Sequence, residues 1–150
     1  MINLQSSTVS EINGNEWEYI LIEWSRHLPL KNQGARLSAF LKEVMPSELH
    51  PLLADISQCY LYPEDTLRWK IFNEAQQIGF STPVGTLALA CFWLNGSMSP
   101  IGLEPIYPAP HLSHLMIQCV LIMCANLLAD IPTEGVHKLL SRQSMIQDPE

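Results

Sequence analysis

The sequence contains few charged residues, and few basic ones in particular. Charged residues make up 15% of its 150 positions, against about 25% in an average protein. Only 8 are Lys or Arg, beside 15 Asp or Glu, so the formal net charge is −7. Binding to nucleic acid needs a concentrated basic face, and we therefore expect no nucleic-acid partner. At 47% apolar residues, the chain is also too hydrophobic for a disordered protein.

The local motifs of common catalytic and cofactor sites are absent as well. There is no G-x-x-x-x-G-K-[ST] phosphate loop, no G-x-G-x-x-G and no G-x-S-x-G elbow. The four cysteines lack the C-x-x-C spacing, so we predict reduced thiols buried as small apolar groups. We predict no catalytic residue, no cofactor and a non-enzymatic protein. The cysteines are Cys59, Cys91, Cys119 and Cys124.

Long hydrophobic runs are missing too. The two most apolar stretches, residues 84–94 and 115–129, are shorter than the roughly 20 residues that a membrane-spanning helix needs. Residues 1–10 lack the basic start and continuous apolar stretch of a secretory signal. We therefore expect a cytoplasmic protein without a membrane span, in which both apolar stretches are buried helices.

Proline and glycine divide the chain into predicted helices. The apolar spacing predicts an all-α fold, a compact bundle of six or seven helices with one long proline-rich crossover loop. We predict a single domain over residues 1–150, with flexible ends at 1–14 and 147–150. Partial alternation at 17–21 leaves a strand there as the less favoured alternative. Helices are predicted at 17–28 with Asn15 as its cap, at 35–45 after a loop at 31–34, from 51, from 63 to Gly79, from 83 to 94 with Thr82 as cap, at 112–129, and from Thr133 through Leu140 or Ile146.

The crossover loop spans residues 95–111, NGSMSPIGLEPIYPAPH. Its four prolines exclude a helix or a central strand, and the string from Pro105 to Pro110 favours an extended path. Long ordered loops in small domains often carry function. We predict that seven residues give this segment its shape: Gly96, Ser97, Pro100, Pro105, Pro108, Pro110 and His111.

Two histidines lie at the end of this loop with the spacing of a metal pair. His111 and His114 are three residues apart at a helix start, which places them on one face. A zinc site needs three or four ligands, and no Asp, Glu or further His lies close by in sequence. We therefore predict no metal site and expect His111 to help hold the loop.

Glu104 is the only charged side chain between residues 75 and 129. It is either exposed on the loop or buried against one of the basic residues Arg36, Arg68 and Lys70. A buried pair of this kind would be a structural clamp and no evidence of catalysis.

The loop also carries large apolar side chains that suit a protein interface. Trp69 and Tyr107 are either core residues or exposed anchors, since Trp and Tyr often dominate binding energy at interfaces. The candidate interface residues are Ile101, Leu103, Glu104, Ile106, Tyr107 and Trp69.

An ordered series of motifs runs through residues 63–129. It consists of a helix ending in Gly79, the start Thr82-Pro83, the alanine-rich helix to Phe92-Trp93, the turn Gly96-Ser97-Met98-Ser99-Pro100, the string Pro105-Ile106-Tyr107-Pro108-Ala109-Pro110 and the pair His111-Leu112. This series resembles an uncharacterised family of bacterial proteins, found mainly in Proteobacteria and known as a domain of unknown function. Many members have a Leu-Pro followed by a Trp-Trp pair, whereas here Pro46 is followed by Ser-Glu-Leu-His. The resemblance implies a place near genes for specialised secretion systems and assigns no catalytic residue.

Together these features predict a protein-binding accessory or chaperone-like adaptor, with the secretion association coming from the resemblance. The expected partner is a secretion component or an effector, and a homodimer is the nearest variant. One alternative is an effector or immunity component. The other is a small ligand-binding protein or enzyme with a pocket under the proline loop, near Trp93, His111 and His114.

Overall fold

A computed structural model describes residues 16–148 of the chain. Within this range there are eight α-helices, one short 3-10 turn and no strand, which confirms the all-α prediction and shows that the strand alternative at 17–21 is wrong. Asn15 and the predicted flexible end at 1–14 lie outside the described residues, as do residues 149–150 of the predicted flexible end at 147–150. The helices are α1 Glu16–Arg26, α2 Leu30–Val44, α3 His50–Leu61 after the 3-10 turn Ser47–Leu49, α4 Asp65–Ile78, α5 Pro83–Leu94, α6 Leu112–Leu128, α7 Pro132–Leu140 and α8 Gln143–Ile146.

Helix α5 lies at the centre of the bundle and contacts α2, α3, α4 and α6. As predicted, it begins at Pro83, and the Thr82 side chain accepts a hydrogen bond from the Gly85 amide at 3.1 Å. Its residues are buried nearly all round, which is why the sequence is apolar without a polar face. The buried residues are Val84, Gly85, Thr86, Leu87, Ala88, Ala90, Cys91 and Phe92.

The loop predicted at residues 31–34 is wrong, because α2 already begins at Leu30. The Pro29 carbonyl accepts from the amides of Asn32 and Gln33 at 3.0 Å, which starts the helix. Gly34, taken from sequence as a loop residue, lies instead where the Tyr60 ring of α3 packs, and a side chain there would overlap the ring. Glycine is therefore required by the close approach of two helices.

Gln33 gives this segment a second tertiary role. Its side-chain amide donates to the carbonyls of Ser25 at 3.0 Å and Leu28 at 2.9 Å. These carbonyls belong to the end of α1 and the turn after it, where backbone acceptors lack helical partners. Gln33, a polar residue in the segment predicted as a loop, thus connects the end of α1 to α2 by hydrogen bonds.

The C-terminal helix differs from its prediction. Thr133 is not the cap, because Ile131 holds that position and α7 begins at Pro132. The chain breaks again after Leu140, so Ile146 belongs to the separate helix α8, where it is 56% exposed. After α8, the Asp148 carboxylate accepts from Arg36 Nε at 2.8 Å, and this bond holds the pKa of Asp148 below its usual value.

No single helix within residues 16–148 has both the length and the apolar character needed to cross a bilayer. Helices α6 and α7 together have that length and apolar character, but their axes differ by 101° at the break between them.

The cysteines fall into two classes. Cys59, Cys91 and Cys124 are buried as predicted, but Cys119 is exposed on α6, so the expectation of burial is wrong for this residue. A hydrogen bond to Cys59 and burial raise the pKa of the Cys91 thiol, and burial raises that of Cys124. Cys119 is therefore the one cysteine of the four whose thiol is accessible to solvent.

We expect native protein to react rapidly with a thiol reagent such as dithionitrobenzoate at one cysteine per chain. In urea all four cysteines should react, because unfolding removes the burial that blocks the others. The Cys119→Ser variant is the control and should lose the rapid phase. A rapid phase of two or more thiols in native protein would contradict this assignment.

Candidate interaction surface

Arg68 on α4 is a buried cation beneath the start of the crossover loop. Its side chain is only 2% exposed. The guanidinium donates to the Asp65 carboxylate at 2.5 Å, to the Phe92 carbonyl at 2.8 Å and to the Ser97 carbonyl at 2.9 Å. A buried charge is stable only when paired and hydrogen-bonded, and Arg68 meets this condition by joining α4, the end of α5 and the loop.

The Arg68 side chain restricts which residues fit beside it. Its guanidinium lies over the Phe92 ring, 4.3 Å from the centroid, in a cation–π contact. On another side it approaches Gly96, where a Cβ would lie 2.6 Å from Nη1. The turn therefore needs glycine at 96 because a buried side chain fills the space.

Ser97 closes the base of the loop. Its hydroxyl oxygen accepts from the amides of Ser99 at 2.9 Å and Ile106 at 3.0 Å. Beside it, the Met98 amide donates to the Ile106 carbonyl at 2.7 Å. Residues 97–106 thus form a loop whose two ends are bonded to each other, and the Ser97 carbonyl bonds this base to Arg68.

The part of the loop beyond this base projects into solvent. A turn closes its tip, where the Leu103 amide donates to the Pro100 carbonyl at 3.2 Å and Gly102 has φ +97°. Of the ten large apolar side chains that are exposed in residues 16–148, four lie in this short stretch: Ile101 at 85%, Leu103 at 65%, Ile106 at 56% and Tyr107 at 68%. We call residues 97–107 the display loop.

A groove of about 340 Å³ lies between the end of α5 and the proline string. Its size is at the lower end of small-ligand sites, which run from about 300 to 1,000 Å³. The lining residues are Trp93, Leu94, Gly96, Tyr107, Pro108, Ala109, Pro110 and Ser113.

Three sequence predictions near this surface need correction. Trp69 is half-buried, because its ring packs edge-on against Phe72 and Phe92 with centroids 5.6 and 4.7 Å apart, so it is no exposed anchor. His111 is exposed, and no ring hydrogen bond holds it to the loop among the described residues; its backbone carbonyl accepts from Leu115 instead. The pocket near the loop is present, but neither His111 nor His114 lines it.

Glu104 is exposed on the display loop. None of the basic residues considered for it is its partner, because each is bonded to an aspartate in its own neighbourhood. The pairs are Arg36 with Asp148, Arg68 with Asp65 and Lys70 with Asp55. Within residues 16–148, the Glu104 carboxylate has no ion pair.

The two histidines do not gather further ligands. The His114 ring contacts the Gln118 side-chain amide at 3.2 Å on the same helix. In the part of the chain that the structure describes, no group of three or more His, Cys, Asp or Glu side chains is placed to hold a metal ion.

Sequence reasoning missed the role of Arg68, which it considered only as a possible partner of Glu104. A signal was present, because Arg68 stands three residues before Ile71 and seven before Ala75. This spacing puts it on the apolar stripe of α4, where an unpaired arginine would be costly. Asp65, three residues earlier on the same face, is the partner that this argument requires.

The family model of a family of unknown function, DUF6931, matches residues 35–143. The chain belongs to this family. The predicted membership of an uncharacterised family is thereby confirmed, and the DUF6931 match includes Arg68, the display loop and the groove. No curated protein and no solved structure matches the chain.

Proposed function

We propose that this DUF6931 protein is a non-enzymatic, cytoplasmic adaptor that binds another protein through its display loop. One observation carries the proposal: four large apolar side chains are exposed on a loop that hydrogen bonds hold in shape. Exposed apolar residues that stand singly are ordinary, but a cluster of them is typical of an interaction site.

The rigidity of the loop supports binding for an energetic reason. Ordering a flexible loop on association costs free energy, which lowers affinity. Here Arg68, Ser97 and the bond between Met98 and Ile106 have already ordered the base. The base is therefore in place before any partner arrives, and only the tip remains to be ordered on binding.

The proposed setting is a bacterial secretion apparatus, in which the chain acts as an accessory or chaperone-like factor. This part rests on the resemblance of residues 63–129 to proteins near secretion genes. The partner would then be a secretion component or an effector. An effector or immunity role uses the same surface, and the identity of the recovered partner distinguishes it from an adaptor.

Tyr107→Ala is expected to reduce recovery of the partner at least tenfold when tagged protein is isolated from its native cells and analysed by quantitative mass spectrometry. Tyrosine is a typical hot spot at protein interfaces, and its truncation to Ala removes most of its contact area. Ile106→Ala should act in the same direction with a smaller effect.

Matched controls separate the loop from general surface hydrophobicity. Tyr62 is 69% exposed and Ile146 is 56% exposed, close to the values for Tyr107 and Ile106, but both lie outside the display loop. Tyr62→Ala and Ile146→Ala should leave recovery unchanged. Recovery that survives Tyr107→Ala and Ile106→Ala would refute a display-loop interface.

The groove supports a second candidate, a small-ligand protein, because a concave site with Trp93 and Tyr107 in its lining is a common ligand geometry. A metal and ligand screen by native mass spectrometry tests it. Stoichiometric zinc that His111→Ala removes, or a retained small molecule that Trp93→Phe releases, would favour this candidate over the adaptor.

A further inference from the structure

We propose that the groove beside the display loop binds an extended segment of the partner, with apolar or proline residues against Trp93 and Tyr107 and a Lys or Arg within reach of Glu104. This proposal rests on the proposed function and names the chemistry of the partner. It is argued from the lining of the groove, its unused backbone groups and the charge beside it.

The lining suits an extended peptide better than a helix. Trp93 and Tyr107 give aromatic walls, and Pro108 and Pro110 add apolar surface. Aromatic-lined grooves recognise proline-rich segments in the polyproline II conformation. A helix with its side chains is about 10–12 Å across. A groove of about 340 Å³ accepts a few side chains of an extended chain and not the face of such a helix.

Tyr107 also offers unused backbone groups. In the described part of the chain its amide and carbonyl make no hydrogen bond, whereas the adjacent Ile106 uses both of its own with Ser97 and Met98. Pro105, Pro108 and Pro110 have no amide hydrogen to offer. Tyr107 therefore has both a donor and an acceptor available for the main chain of a bound peptide, whereas the Ala109 carbonyl already accepts from the Leu112 amide.

Charge decides which occupant fits. Glu104 is exposed without an ion pair among the described residues, and it stands three residues before Tyr107, roughly 9 Å away at 3.1 Å per residue of extended chain. Its complement is a basic side chain. A second copy of this chain would bring a net charge of −7 and another unpaired Glu104, so like charges disfavour it.

A random dodecapeptide library displayed on phage, panned on the full chain, tests this inference without a known partner. We expect enriched peptides that combine proline or apolar residues with at least one Lys or Arg. The enrichment should be retained on the Tyr62→Ala variant and lost on Tyr107→Ala. No enrichment over an empty support, or equal enrichment on Tyr107→Ala, would overturn the proposal.

Two measurements on the most enriched peptide locate it in the groove. By fluorescence anisotropy, Glu104→Lys should weaken binding about threefold to tenfold, and replacing the basic residue of the peptide by Glu should restore part of the loss on that variant. In a proton–nitrogen correlation spectrum, the indole signal that Trp93→Phe removes should move on binding. A shift confined to another tryptophan, or an affinity insensitive to Glu104→Lys, would overturn it.

Failure here is distinguishable from failure of the proposed function. If Tyr107→Ala abolishes recovery of the native partner but no linear peptide binds, the display loop is an interface for a folded surface and the groove inference falls alone. If size-exclusion chromatography with light scattering shows a dimer that Tyr107→Ala dissociates, a second copy covers the groove, and the proposed basic segment is excluded.

Discussion

Replacing Arg68 by Met is expected to lower the free energy of unfolding by about 3 kcal/mol, since three hydrogen bonds to a buried cation are lost. Met preserves much of the apolar volume, so the loss reports on the guanidinium and not on a cavity. The carbonyls of Phe92 and Ser97 lose this donor inside the protein, which is the larger part of the cost. Urea denaturation followed by circular dichroism measures the change.

Asp65→Asn is the control for the ion pair alone. Asn keeps an oxygen that can accept from Arg68, and the Asp65 side chain is 45% exposed, so water offsets part of the lost charge interaction. Because Arg68 itself is buried, we expect a loss of about 1–2 kcal/mol, smaller than for Arg68→Met. Equal losses for Arg68→Met and Asp65→Asn would show that the ion pair, and not the bonds to the two carbonyls, provides the stability.

Replacing Gly96 by Ala is expected to cost about 2 kcal/mol, because the new methyl group would meet the Arg68 guanidinium at 2.6 Å. The guanidinium cannot easily move away, since its bonds to Asp65, Phe92 and Ser97 hold it. Hydrogen exchange should show the local result as weaker protection of the Met98 and Ile106 amides. Unchanged stability and unchanged protection at both amides would contradict the close packing.

Gly102→Ala provides the matched comparison in the same loop. Gly102 has φ +97° and no neighbour within 4 Å of an added methyl group, so only backbone strain of about 1 kcal/mol is expected. Protection of the Met98 and Ile106 amides should stay as it is. In an Arg68→Met background the cost of Gly96→Ala should fall below about 1 kcal/mol, because the two sites interact directly, while the cost of Gly102→Ala should not change.

Local signals were sufficient to predict most of the helices. Thr82-Pro83 at the start of α5 and the prolines after Gly96 act through their own backbone geometry, which is the same in any fold. The helix α4, with Asp65 at its start and Gly79 directly after its end, follows from the same rules. The order of the helices in the bundle then depends on which faces are apolar, and the central place of α5 follows from its lack of a polar face.

Most of the wrong predictions concern residues whose surroundings are set by a distant part of the chain. From sequence alone Gly34 is taken for a loop residue, but in the structure the Tyr60 ring occupies the space that a side chain at this position would need. Thr133 is the exception, because its predicted role as a cap fails for a local reason: Pro132, directly before it, already starts the helix. From sequence, Trp69 between two basic residues suits an exposed anchor as well as a core residue, but in the structure Phe72 and Phe92 pack against its ring.

The position of the candidate surface could be predicted from the sequence, but the hydrogen bonds that hold it in shape could not. Composition alone marks residues 95–111 as a loop with apolar side chains. The hydrogen bonds that hold the loop connect Arg68 to carbonyls 24 and 29 positions later in the chain. Periodicity within one helix gives no sign of contacts between residues so far apart in sequence. The bond from Ser97 to Ile106 spans nine residues of loop, and only the folded path of the prolines brings the two together.

The closed base of the display loop separates the part that holds shape from the part that we propose meets a partner. Arg68, Gly96 and Ser97 secure the base, while Ile101 and Leu103 make no contribution to the core. Substitutions at the tip should therefore leave stability nearly unchanged. Under the proposed function, the same substitutions would change the binding preference of this chain, so recognition and folding could be altered independently of each other.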